Sequence, residues 1–216
     1  MHLRKYTTRA AAVAVTLAVA AGTAVATTGA AHAGGKRPQP VRTAQSAPAF
    51  LVPKELPPHP ASDWYAGDVT KGLPEAAFCV ANSLPTTGSS HRMFWTEYDT
   101  GANQIVVRTG SAAAAEKLAA AVEAGIRRCA ADYQQQYPQS TASWRDYGTL
   151  PAEDGAHVYG VHTSQPESEP GIHLFGVGRD GRTVTVVSWG QMGDYTHAPV
   201  TEFRHTTTTA VVKLFP

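Results

Sequence analysis

The chain has 216 residues, 43% of them hydrophobic and 16% charged, with a formal net charge of +1. That length suits one domain with a sizeable core. So even a charge balance gives no electrostatic case for nucleic acid or an anionic membrane as a partner.

The first 33 residues read as a signal peptide. His2, Arg4, Lys5 and Arg9 make a basic start, Ala10 to Ala21 an Ala/Val-rich run, and Ala31-His32-Ala33 a small-x-small cleavage site. The run is short for a stable span, and the mature chain is expected to contain none. A secreted, extracellular protein cut after Ala33 follows. Cleavage removes three cations and no Asp or Glu, which leaves 15 cations against 17 anions, a net charge of −2.

Residues 34–62 carry seven prolines and few large apolar side chains. Such a stretch favours extended polyproline II conformation and is expected to be a flexible spacer. Residues 63–216 are then the folded domain, beginning near Asp63-Trp64-Tyr65.

Pro74 is placed like the first residue of a helix, with Glu75 in its first turn; that helix would run to Leu84 and hold Cys79. His91 to Tyr98 and Asn103 to Thr109 read as a hairpin turning through Asp99-Thr100-Gly101-Ala102. A long Ala-rich helix follows from Ser111, a plausible N-cap, to Tyr137, where Pro138 stops it. Leu118, Val122, Ile126, Cys129, Tyr133 and Tyr137 recur at steps of 4, 4, 3, 4 and 4, which keeps them on one stripe. Glu123 precedes Arg127 by four residues, the better order for a helical ion pair.

Two cysteines allow a single intrachain bridge, Cys79–Cys129, in the oxidising compartment that export implies. It would staple helix to helix. Lacking a C-x-x-C spacing, the pair does not read as redox-active.

Trp144 to Tyr147 reads as a short strand, Ala156 to Thr163 as a longer one, and Gln165 to Gly171 as an exposed loop. Ile172 to Gly178 and Thr183 to Gly190 form the clearest hairpin, with Asp180-Gly181 as a two-residue type I′ turn. That register puts Val177 opposite Val184 and Phe175 opposite Val186 on one face. Leu174 opposite Val187 and Ile172 opposite Trp189 share the other. Apolar residues on both faces mark inner strands covered twice. Gly176 and Gly178 leave one face short of volume, a gap that a helix, a loop or a ligand could fill. From Pro199 to Phe215 the apolar positions fit a helical stripe, although the threonines 206–209 are weak helix formers. The fold expected is α+β: an antiparallel or mixed sheet of about five to six strands flanked by helices, with one interhelical disulfide.

Chemical signatures are sparse. Asp99-Thr100-Gly101 matches an aspartic-protease loop, but Asp, Thr and Gly also simply make turns. The seven histidines of the mature chain form no His-Glu-x-x-His helix. His157 and His162 fall on opposite sides of one strand. No metal, no cofactor and no catalytic set is expected. Aromatic residues are numerous enough to line a cleft. His173 and Ser188 are expected as cross-strand neighbours at its polar edge. The candidate ligand-binding residues are Trp95, Tyr98, Tyr159, His173, Ser188 and Trp189.

The order of features resembles a known family. A Pro-rich spacer leads to a Trp and a Cys-bearing helix. Then come "QIVVRTGSAAAAEKLAAAVEAGIRRC" and a closing "VGRDGRTVTVVSWGQMGD" hairpin before a C-terminal helix. This is similar to the extracellular sensor domain of PknH-type actinobacterial serine/threonine kinases, a family that also occurs as free-standing secreted proteins and lipoproteins. The likeness covers residues 63–215. It implies an α+β domain with a ligand cleft, in which Cys79 and Cys129 match one family disulfide; the second is absent here. The expected function is a non-catalytic, sensor-like module for a small molecule, a cell-wall or lipid fragment, or an extracellular protein. The alternatives are a secreted inhibitor acting through loops such as Gln165–Gly171, and a hydrolase.

Overall fold

The computed structural model describes residues 47–215. The expected signal peptide and the first part of the Pro-rich stretch lie outside the described residues. Six long strands and two short ones form one open antiparallel sheet. They are β1 (Tyr65–Ala66), β2 (Thr70–Lys71), β3 (Ser89–Trp95), β4 (Gly101–Arg108), β5 (Thr141–Leu150), β6 (Ala156–Ser164), β7 (Gly171–Asp180) and β8 (Thr183–Met192). Their order is β1-β3-β4-β8-β7-β6-β5, with β2 also on β3. The fold class is α+β as expected, and every pairing is antiparallel.

Helix α1 (Ala112–Gln136) covers one face. Ser111 caps it, its side chain accepting from the Ala114 amide at 3.1 Å. Its buried positions are Ala115, Ala119, Val122, Gly125, Ile126, Cys129 and Ala130. Alanines at 115 and 119 let the helix lie close on Ile105, Tyr159, Phe175, Val177 and Val186. The outer end of the expected stripe is not buried: Tyr137 is exposed.

Helix α2 (Val200–Val212) covers the opposite face through Phe203, Ala210 and Val211 against Val158, Leu174 and Val187. The gap at the β7 glycines is filled by this helix. A Cβ on Gly176 would lie 2.2 Å from Thr207 Oγ1, and one on Gly178 2.3 Å from Val211 Cγ2. The threonine run is compatible with helix because three of its four hydroxyls find acceptors. Thr207 and Thr208 donate to the carbonyls of Phe203 and Arg204, and Thr206 donates to Glu55 O at 2.7 Å.

The sheet has eight strands, not the five to six expected, and the short strand expected at Trp144–Tyr147 is the ten-residue β5. Three further expectations need correction. The β7–β8 hairpin turns at Gly181-Arg182, so Val177 faces Val186, Phe175 faces Ser188 and Leu174 faces Trp189. Gly181 has φ 55° and Arg182 is not at positive φ, the pattern of a type II′ rather than a type I′ turn. The slip from the expected register is two residues. Side chains alternate with period 2, so each keeps its face.

Residues 74–84 hold only a short 3-10 turn, Ala81–Ser83. Cys79 sits at φ 62°, outside the helical region, so no α-helix can run through it. The disulfide Cys79–Cys129 is present, and it ties a loop, not a helix, to α1. The loop lies against α1 at Gly125, where a Cβ would fall 2.6 Å from Ser83 Oγ.

The spacer reading through residue 62 does not hold for its described part. Leu51 and Leu56 are buried in the cluster under α2 with Trp64. Leu51 N donates to Gln104 Oε1 at 2.7 Å, Lys213 Nζ pairs with Glu55 at 2.8 Å, and Trp64 Nε1 donates to Pro57 O at 2.7 Å. A few apolar side chains among the prolines suffice to anchor the segment, because a core edge is waiting for them. No helix among the described residues is long and apolar enough to cross a membrane.

Gly176→Ala should destabilise the protein by about 1–3 kcal/mol, since α2 must shift to admit the methyl group; an unchanged urea midpoint would contradict the α2 packing. Cys129→Ser should cost up to about 4 kcal/mol from loop-closure entropy. A melting temperature insensitive to reductant would show that the bridge contributes nothing.

Candidate functional site

Strand register builds the site. Met93, Asn103, Ser188 and Phe175 are successive cross-strand partners over β3, β4, β8 and β7, on the α1 side of the sheet. The next row outward is Trp95, Gly101, Gly190 and His173. Facing them, the loop beside the disulfide presents Phe78, whose ring lies 4.6 Å from His173 and 6.5 Å from Phe175 between centroids. A cavity of about 440 Å³ opens between these rows and the Ala76–Phe78 segment. Its size is within the range of small-molecule sites.

The walls are mainly apolar, from Phe78, Met93, Phe175, Pro170 and Met192; the polar groups are Asn103, Ser188, His173, Gln191, Asp99 and Glu169. Two bonds from adjacent backbone amides bring the last two to the same end. Asp99 Oδ2 accepts from Met192 N at 2.8 Å. The next amide, Gly193 N, donates to the carbonyl of Pro170, beside Glu169, at 2.8 Å.

Asn103 is 9% exposed, and its Oδ1 is fully buried with no hydrogen-bond partner. A buried amide oxygen left unpaired costs roughly 1–3 kcal/mol. Its place in a cavity wall means that a turn of the amide offers either an acceptor or a donor to a bound molecule.

His173 reaches across Gly190, where a Cβ would fall 2.6 Å from its Nδ1. Burial, with a smaller contribution from His162, lowers its pKa to about 4, so the imidazole is neutral at neutral pH.

Of the residues expected at a ligand site, His173, Ser188 and Trp189 line this cavity. The indole of Trp189 packs into the core under α2. His173 and Ser188 are diagonal, not paired: Ser188 faces Phe175, and His173 faces Gly190. Trp95 is 47% exposed beyond the cavity and stacks on Tyr65 at 6.4 Å, while Tyr98 stacks on His59 at 5.3 Å.

Tyr159 is fully buried beneath α1. Its hydroxyl donates to Glu123 Oε2 at 2.8 Å and accepts from Arg127 at 2.9 Å. Burial and the Glu123 carboxylate push its pKa far up. This belongs to a polar stitch in which His157 Nε2 meets Asp146 Oδ1 at 2.6 Å and joins β5 and β6 to α1. The hydrogen bond from His157 holds the Asp146 carboxyl below the usual range.

Sequence reasoning did not place Asn103, Phe78, Met93, Asp99, Glu169 or Gln191 at a ligand site. One signal was available. Asn103 shares a strand face with Ile105 and Val107, so it is a polar residue at an inward position.

Among the described residues no three His, Cys, Asp or Glu side chains are grouped to hold a metal ion. No protein-family model matches the chain, and no curated protein matches it.

His173 gives the site a pH signature. Its folded pKa of about 4 lies below the ordinary 6.5. Between these values the unfolded chain binds a proton that the folded protein refuses. Stability should therefore fall by up to about 3 kcal/mol as pH drops from 6.5 to 4, with no contribution from this group to pH dependence above that window. His173→Phe should flatten this slope in urea unfolding at several pH values. An equally steep loss in the variant would refute the assignment.

Proposed function

We propose that the protein is an exported, non-catalytic binding module that holds a small ligand in the cavity between β3, β4, β8, β7 and the Phe78 loop. The observation that carries this reading is Asn103, a nearly buried side chain whose Oδ1 has no hydrogen-bond partner, in the wall of a mainly apolar cavity of about 440 Å³. Pockets that bind small molecules have this make-up, with apolar walls and a few polar groups that fix orientation.

A non-catalytic role is supported by the relation of Ser188 to His173. They are the cavity's nearest approach to a nucleophile and base, yet no hydrogen bond joins them, whereas an activated serine needs that contact. The disulfide fits an oxidising compartment, and the N-terminal sequence fits export. A ligand-holding module is also what the resemblance to the PknH-type sensor domain implies. The loop 165–170 supports the cavity reading over a loop-borne inhibitor, because Glu169 and Pro170 form part of the cavity wall.

Gly101 gives a clean way to test this. It lines the cavity, and a Cβ there would meet only Phe94 O, at an ordinary 3.7 Å. Native mass spectrometry of protein purified from culture medium should show a non-covalent adduct on the wild type. Gly101→Leu should lose the adduct while its stability changes by about 1 kcal/mol or less. An adduct retained at full occupancy by the variant would place the ligand elsewhere. A bare wild type would move the reading toward a protein partner.

A further inference from the structure

Resting on the ligand-binding reading, we infer that the cavity selects an organic ammonium ion, a positively charged amine on a compact apolar body, and discriminates against carboxylates and phosphates. No Lys or Arg is among the described residues that line it, whereas Asp99 and Glu169 both are. Among the described residues, neither carboxylate forms an ion pair with a basic side chain. Adjacent backbone amides, Met192 N and Gly193 N, hold the Asp99 and Pro170 sides of the mouth at one end.

An acidic rim alone would only be a solvated edge. Here it borders the cavity whose wall holds Asn103, with its Oδ1 unpaired. Deeper in, the ring of Phe78, 6.5 Å from that of the buried Phe175, offers aromatic surface to the apolar body of the ligand. Met93 and Met192 add polarizable thioethers that adapt to an apolar body. His173 is neutral at neutral pH, so it does not offset the two negative charges. Together these groups supply anionic, aromatic and apolar surface to one ligand. The ammonium sits at the mouth between the carboxylates, the apolar part lies against Phe78 and Phe175, and the Asn103 amide accepts or donates one hydrogen bond.

Three probes of nearly equal size separate charge from shape: 4-phenylbutylamine, 4-phenylbutanol and 4-phenylbutyrate, titrated by calorimetry into the full-length mature protein at neutral pH and low salt. The amine should bind about fivefold to tenfold more tightly than the alcohol, as two partly solvated charge contacts allow, and the carboxylate most weakly. In Asp99→Asn/Glu169→Gln the amine should fall to the level of the alcohol, with alcohol binding kept. Asn at 99 retains an oxygen for Met192 N, and the single Glu169→Gln variant, in an exposed loop, should show part of the effect if the double variant fails to fold. Equal binding of amine and alcohol to the wild type, or an amine preference that survives both substitutions, would overturn charge selection while leaving a ligand cavity. No binding of any probe at millimolar concentration would count against the cavity as a binding site.

Discussion

A sheet whose central strands are apolar on both faces has to be covered twice, and this requirement organises the molecule. Along β8, Val184 and Val186 point one way and Val187 and Trp189 the other; along β7, Phe175 and Val177 oppose Ile172 and Leu174. Each face buries several large side chains, each worth roughly 1.5–3 kcal/mol when removed from water. Neither layer could be left open. Helix α1 and helix α2 are the two covers, and they approach by different means. On α1, alanines at the contact positions bring the backbone near. Under α2, the glycines are on the strand, and Thr207 and Val211 fill the space that they leave.

The two covers are unequal in extent. Together with residues 51–64, α2 closes its face, and Leu51, Leu56 and Trp64 complete that core. Helix α1 leaves the outer rows of β3, β4, β8 and β7 uncovered, and the Cys79 loop bridges over them with Phe78. The cavity is the space between that bridge and the sheet. The disulfide therefore does more than constrain the unfolded chain. It anchors to α1 the loop whose neighbouring residue forms one wall. A cavity at this place needs no special motif, since it arises where the cover runs out.

Two sets of polar groups in the domain contrast. The Asp146–His157–Glu123–Tyr159–Arg127 set is internally satisfied and ties an edge of the sheet to α1. In the cavity, by contrast, the Asn103 oxygen is unpaired and His173 is held neutral by burial. A network with its bonds complete is a structural fastening. Polar groups left incomplete beside empty volume are the ones available to a ligand.

The sequence by itself determined the elements made by local rules: the capped α1, the β3–β4 and β7–β8 hairpins, the single disulfide pairing and a helix from Pro199 onward. Period-2 alternation also assigned each β7 and β8 side chain to its face, and that survived a two-residue slip in register because an even slip preserves faces. Tertiary structure decided what depended on distant partners. Cys79 is drawn to a left-handed conformation on a loop bonded to α1, which prevents the helix that Pro74 and Glu75 favoured locally. The Pro-rich segment is pinned by Gln104, Arg92 and Lys213, residues 40 to 160 positions away, so its composition carried no trace of them. Tyr159 went under α1, while Trp95 and Tyr98 stayed outside, because aromatic character is the same for a core, a surface stack and a pocket wall. Only the stacking order of strands distinguishes those places, and it put Asn103, Ser188 and His173 around one space from three segments that the sequence keeps far apart.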